Sequence, residues 1–194
     1  RAETAAFLAD QFIGQQSEIF AKPVGDRLRF EEAAGIVEVD LRRSSGKVTA
    51  ATIRAPKSLQ VGAMIPEADI GRCIAIRPDQ IAPALHHPLF VSVGLEFAVA
   101  ELANLEALAA AVPNPALFRE AAANRGKNNH DFSLFLYVRS SENPWHLRAR
   151  MFAPLDNVPE DPATGSASAA LSAYLVSMTP GTATQQPIHI AQRV

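Results

Sequence analysis

Residues 164–177, TGSASAALSAYLVS, limit most strongly what this chain can fold into. At helical spacing, Ala167, Ala170, Leu171, Tyr174 and Leu175 share one face. Ser166, Ser168, Ala169 and Ser172 fill the other with small groups. A helix that is small all round admits close neighbours on every side. That suits a helix plugged into a curled sheet better than one lying on a flat surface.

The rest of the chain supplies the strands. RLRFEEAAGIVEVDLRR (27–43) holds two strand-like runs around Gly35, SSGK (44–47) is a turn signal, and VTAATIRA (48–55) reads as a third strand. LFVSVGLEFAVAEL (89–102) predicts strands around Gly94, and DFSLFLYVR (131–139) and HLRARMFAP (146–154) predict a hairpin. Between them, 104–124 reads as two helical pieces broken at Pro113 and Pro115, with Asn104 and Asn114 as starts. A last strand is expected at 188–192. Pro56 opens a connection whose best helix signal is PDQIAPAL (78–85). The chain opens on a helical pattern at residues 1–14. Each half thus pairs an Ala-rich helix with a set of strands, an order that argues for an α+β fold. The expected boundaries are a first domain over 1–62, a second over 63–186, and a segment 187–194 that could return to the first.

Composition removes several function classes. The formal net charge is −2, from 18 basic and 20 acidic residues, without a basic stripe, so nucleic acid is not an expected partner. No apolar run reaches the length of a membrane span. Cys73 is the only cysteine, which suits a reducing, cytoplasmic compartment and a buried small hydrophobe rather than a nucleophile. The five histidines show no metal-ligand spacing, and no dinucleotide or phosphate fingerprint is present. No metal or organic cofactor is expected.

In front of the central helix stands PEDPATGSA (159–167). It can be read simply as a helix start, with Asp161 as N-cap and Pro162 at the first helical position, or with Thr164 as the cap. It can also be read as a site. The prolines stiffen the approach of Glu160 and Asp161, Gly165 lets a ligand come close, and the free N–H groups of the first turn suit a carboxylate. An acid beside such an anion site is what proton abstraction next to a carboxylate requires. Glu160 would raise the Asp161 pKa by repulsion and the helix end would lower it; the sequence leaves that balance open.

RMFAPLDNVPEDPATGSASAALSAYL (150–175) closely resembles the signature of the PhzF-like phenazine-biosynthesis family, and Glu160 to Ala167 match it without a gap. LFVSVGLEFAVAELANLEAL is similar to the run that opens that family's second domain. The resemblance implies a diaminopimelate-epimerase-like fold: two similar domains, each a curled antiparallel sheet around a central helix. It implies a homodimeric, cofactor-independent isomerase or epimerase that moves a proton on a small carboxylate-bearing substrate. By position, Asp161 and Ser166 become catalytic, and Glu160, Thr164, Gly165 and Ser166 substrate-binding. The family's first-domain glutamate run and Gly-His-x-Thr run have no match here. The expectation is therefore an incomplete first domain, with sequence preceding Arg1, and a chain inactive if it stands alone. The alternative is a non-catalytic carboxylate-binding or interaction protein of the same fold. A cysteine-dependent racemase of this fold is disfavoured, because Cys73 lies in the connection.

Overall fold

The computed structural model describes residues 26–32, 35–81, 85–125, 131–179 and 186–192. The helix expected over 1–14 lies outside them. The chain divides into two compact units between Ser58 and Leu59.

The first unit holds the antiparallel sheet β1 (Arg27–Glu32), β2 (Gly35–Ser44) and β3 (Lys47–Ile53), in that order. Alternation along β2 buries Val39 and Leu41, which meet Val48 and the half-buried Leu28. Ser45 and Gly46 close the β2–β3 hairpin with φ of 51° and 77°. Positive φ at both turn residues matches the strand twist, and it explains why SSGK is a turn.

The second unit is a seven-stranded mixed sheet. Its strands are β4 (Gln60–Met64), β5 (Leu89–Ser92), β6 (Glu96–Glu101), β7 (Leu134–Arg139), β8 (His146–Ala153), β9 (Val158–Asp161) and β10 (His189–Gln192). The order is β10-β8-β7-β6-β5-β4, with β9 also on β8. The helices are α1 (Glu67–Ile74), α2 (Leu105–Ala110), α3 (Pro115–Asn124) and α4 (Gly165–Ser177). Asn104 and Asn114 cap α2 and α3 by accepting from Ala107 N–H and from Ala116 and Leu117 N–H. The α2–α3 crossover makes β6 and β7 parallel, and β8 and β10 are parallel too. The curled sheet expected to be antiparallel throughout is therefore mixed.

Helices cover both faces of this sheet. On one face α1, α2 and α3 pack on Leu134, Leu136 and Phe152; on the other, α4 packs on Val99, Phe135 and Tyr137. β7 is buried on both sides, which is why LFLYV is a continuous apolar run rather than an alternating one. Ala167, Ala170, Leu171, Tyr174 and Leu175 form the buried face of α4, while Ser168, Ala169 and Ser172 are half-buried.

The connection between β3 and β5 differs from its expectation. Of the helix expected over 78–85, Pro78–Gln80 form a 3-10 turn, after which Ile81 turns extended and bridges to Leu102, burying its side chain; 82–84 lie outside the described residues. The helix of this region is α1 instead. It follows Pro66, carries Glu67 and Asp69 in its first turn, and buries Ile70, Cys73 and Ile74. β4 was hidden because all five of its residues are exposed, so only backbone pairing with β5 defines it. Within the segment 187–194, His189–Gln192 form β10 on the edge of the second sheet. Among the described residues, no helix is long and apolar enough to cross a membrane.

The second face also encloses a polar chain. His86 Nδ1 lies 2.7 Å from the His87 carbonyl, which can only accept, so Nδ1 carries the proton. Nε2 then accepts from the Tyr137 hydroxyl at 2.7 Å. Glu101, buried beside them, is held by the Arg139 guanidinium at 2.7 and 3.2 Å. Burial lowers the His86 pKa from its ordinary 6.5. The unfolded chain thus takes up a proton that the fold resists, and stability present above about pH 6.5 is lost as pH falls below it. His86→Gln, which stays neutral, will be less stable than wild type at about pH 7.5, and the gap will narrow toward about pH 5 in urea titrations. A gap that widens on acidification contradicts this.

Candidate functional site

The site begins with an unusual strand edge. After β8 the chain makes a 3-10 turn at Pro154–Asp156, and Asn157, at φ 59°, reverses it into β9. β9 returns along β8, pairing Asp161 with Met151 and Val158 with Ala153. β10 uses the same edge further back, pairing Gln192 with Ala149 and His189 with His146. The two strands meet end to end, which brings Gln192 to Asp161.

Asp161 ends β9 and organises the turn into α4. Its Oδ1 accepts from Ala163 N–H at 3.1 Å, and its Oδ2 accepts from the Thr164 hydroxyl at 2.7 Å. This is an Asx-type turn, and Pro162 in its middle fixes one backbone angle. Thr164 occupies the N-cap position, yet its hydroxyl makes no capping bond to the helix. It is spent on Asp161 instead. Gln192 closes the turn from the other side. Its Oε1 accepts from Thr164 N–H at 2.6 Å, and its Nε2 donates to the Asp161 carbonyl at 3.0 Å and to Thr164 Oγ at 3.2 Å.

The helix start is therefore left open. The first helical bond at this end runs from Ser168 N–H to the Thr164 carbonyl. Among the described residues, none accepts from the N–H groups of Gly165, Ser166 and Ala167. These are the orphan donors every helix start carries, and together with the helix dipole they favour an anion. A Cβ built on Gly165 would meet no atom of the described residues within 4 Å, so the described residues leave room at this point of the helix start. The half-buried Ser166 also brings a hydroxyl to this end.

Glu160 goes elsewhere. Neighbours on a strand point to opposite faces, so Glu160 leaves Asp161 and meets Arg150 in a two-pronged pair at 2.8 and 2.8 Å. Arg150 also donates to the carbonyls of Leu108, Ala109 and Ala111 at the end of α2, at 2.9, 3.2 and 2.9 Å. These are orphan acceptors of a helix C-terminus. Hydrogen bonding to Arg150 lowers the Glu160 pKa. Of the five sequence-predicted site residues, Asp161, Thr164, Gly165 and Ser166 come together, and Glu160 serves the opposite side.

Gln192 and Arg150 were missed as site residues. Gln192 did leave a trace, since it shares the inward parity of Ile190 on the last strand. The parallel β8–β10 register also sets His146 and His189 edge to face at 4.9 Å. Among the described residues, no group of three or more metal-ligating side chains forms. Cys73 is buried, and that burial pushes its thiol up to about 11, far from a reactive thiolate.

The family model for PhzC-PhzF, phenazine biosynthesis-like protein, matches residues 10–193. A trans-2,3-dihydro-3-hydroxyanthranilate isomerase from Pseudomonas fluorescens is 27% identical over 172 residues, covering 87% of this chain and 55% of the relative. A phenazine biosynthesis protein of the PhzF family from Bacillus anthracis has the same fold, with a TM-score of 0.58 at 18% identity, covering 86% of this chain and 54% of the other. A predicted epimerase from Pseudomonas aeruginosa superposes with a TM-score of 0.58 at 22% identity, covering 82% and 51%. The chain spans about half the length of the relatives it matches.

The Arg150–Glu160 pair gives an ordered prediction. The Glu160 side chain is 40% exposed, so Glu160→Gln will cost less than about 1 kcal/mol at neutral pH. Its pKa is depressed, so that cost is present above about pH 4.5 and fades as pH falls through the folded value. Arg150→Met strips three carbonyls as well and will cost roughly 2–4 kcal/mol. Equal costs in urea unfolding would contradict the anchoring role of Arg150.

Proposed function

The chain belongs to the PhzC-PhzF family of phenazine biosynthesis-like proteins, and from that premise we propose that it forms the carboxylate-binding part of a proton-transferring isomerase or epimerase. The observation that carries this reading is the N-cap threonine that does not cap. Thr164 gives its hydroxyl to Asp161, and among the described residues the space beside Gly165 at the start of α4 is open.

A substrate carboxylate seated there would accept from the N–H groups of Gly165 and Ser166 and from the Ser166 hydroxyl. When a proton leaves the adjacent carbon, negative charge spreads onto that carboxylate. Donors fixed in advance hold the added charge more strongly than the starting carboxylate, so they favour the transition state over the ground state. Asp161, at the edge of the turn, is positioned to exchange a proton on one face of the carbon. A second group on the opposite face completes an isomerisation or an epimerisation. The chemistry is proton transfer alone and calls for no metal or organic cofactor.

A second reading has one observation in its favour. Both oxygens of Asp161 already accept hydrogen bonds within the turn. That suits a carboxylate-binding protein in which Asp161 only shapes the site.

Gly165→Ala tests the site itself. The added methyl meets no atom of the described residues and raises helix propensity, so the melting temperature will hold or rise. The methyl intrudes on the ligand's space, and benzoate affinity by calorimetry will fall about tenfold or more. Unchanged affinity sinks the carboxylate site. Asp161→Asn then separates the two readings. Turnover of an identified substrate falls at least about a hundredfold if Asp161 transfers a proton. It is unchanged if Asp161 is structural.

A further inference from the structure

Gln192 belongs to a strand that the sequence separates from the motif by about thirty residues, yet it touches the motif at three atoms. We infer that Gln192 is a positioning residue, and that the last strand completes the site by presetting the Asp161–Thr164 turn. The functional consequence rests on the carboxylate-site reading above; the structural role of Gln192 does not.

Each of the three contacts controls something different. Among the described residues, Thr164 N–H is the one donor at the helix start that has a partner, and Gln192 Oε1 is that partner. A ligand carboxylate is thereby left the donors beyond it, at Gly165 and Ser166, so Gln192 fixes where along the helix end the ligand can sit. The bond from Nε2 to Thr164 Oγ commits the hydroxyl's own proton to Asp161, because an oxygen that accepts from the amide points its hydrogen away from it. Gln192 therefore holds the threonine in its non-capping rotamer. The bond from Nε2 to the Asp161 carbonyl ties the end of β9 to β10, where no backbone pairing joins those two strands.

Only a primary amide at this reach does all three. The carbonyl must accept from an N–H while the amino group donates to two oxygens, so flipping the amide would set donor against donor. Glutamate keeps the acceptor but loses both donations and brings a negative charge toward the incoming carboxylate. Methionine keeps the volume and loses everything polar. Packing offers an independent support: β10 pairs with β8, and Ile190 in β10 and Ile188 just before it pack against the core. The strand stays docked without Gln192, so its replacement reads out positioning rather than unfolding.

The test uses amide hydrogen exchange by NMR together with benzoate calorimetry on wild type, Gln192→Met and Gln192→Glu. In Gln192→Met the Thr164 amide will exchange at least about tenfold faster, the Phe135 and Leu136 amides of β7 will not change, and benzoate will bind about tenfold more weakly. In Gln192→Glu the Thr164 amide will regain protection to within about threefold of wild type, while benzoate binding stays weak. That split between protection and affinity is one that a general loss of stability cannot produce. Unchanged Thr164 exchange in Gln192→Met overturns the proposal, and so does equal acceleration at Thr164 and in β7. If wild type binds no benzoate, the carboxylate reading fails, and the Thr164 exchange rates still decide the role of Gln192.

Discussion

Everything at this site follows from one strand edge shared by two partners. β8 gives its first residues to β10 and its last to β9, so the ends of two short strands meet where α4 begins. Neither short strand has a long run of bonds to fix it. β9 holds its place through Arg150 on one side and Gln192 on the other. The opening of α4 inherits its position from that meeting point, and the free donors of Gly165, Ser166 and Ala167 are where they are because the Asp161–Thr164 turn is closed.

The two adjacent acids show how a fold separates like charges. Glu160 and Asp161 are one residue apart, but strand geometry sends them to opposite faces. Glu160 meets a guanidinium that also binds the end of α2, so its charge is neutralised within a structural brace. Asp161 turns the other way and accepts from Ala163 N–H and the Thr164 hydroxyl at the helix start. The repulsion between them that the sequence suggests is relieved by this divergence and by the Arg150 partner of Glu160.

Much of this was legible in the chain. The apolar face of α4, the asparagine caps of α2 and α3, and the Ser45–Gly46 hairpin follow from local rules, and the structure keeps them. Local rules failed where side chains carry no pattern. β4 is exposed along its whole length, and α1 is a single short apolar stripe in a stretch rich in proline. At the site, the resemblance of 150–175 to the family signature named Asp161, Thr164, Gly165 and Ser166, which the fold gathers at one helix start. It also named Glu160, and sequence adjacency does not show which way a strand residue points. Gln192 could not be found this way at all, since its contacts depend on a parallel pairing that only the folded sheet supplies.

The central claim is that the first turn of α4 receives a carboxylate. It is tested most directly by following backbone amide shifts of the wild-type chain during a benzoate titration. The account predicts saturable downfield shifts of the Gly165 and Ser166 amide protons with one shared affinity, as these donors gain an acceptor. Shifts confined to other regions of the chain, or none at these two amides at saturation, would contradict it.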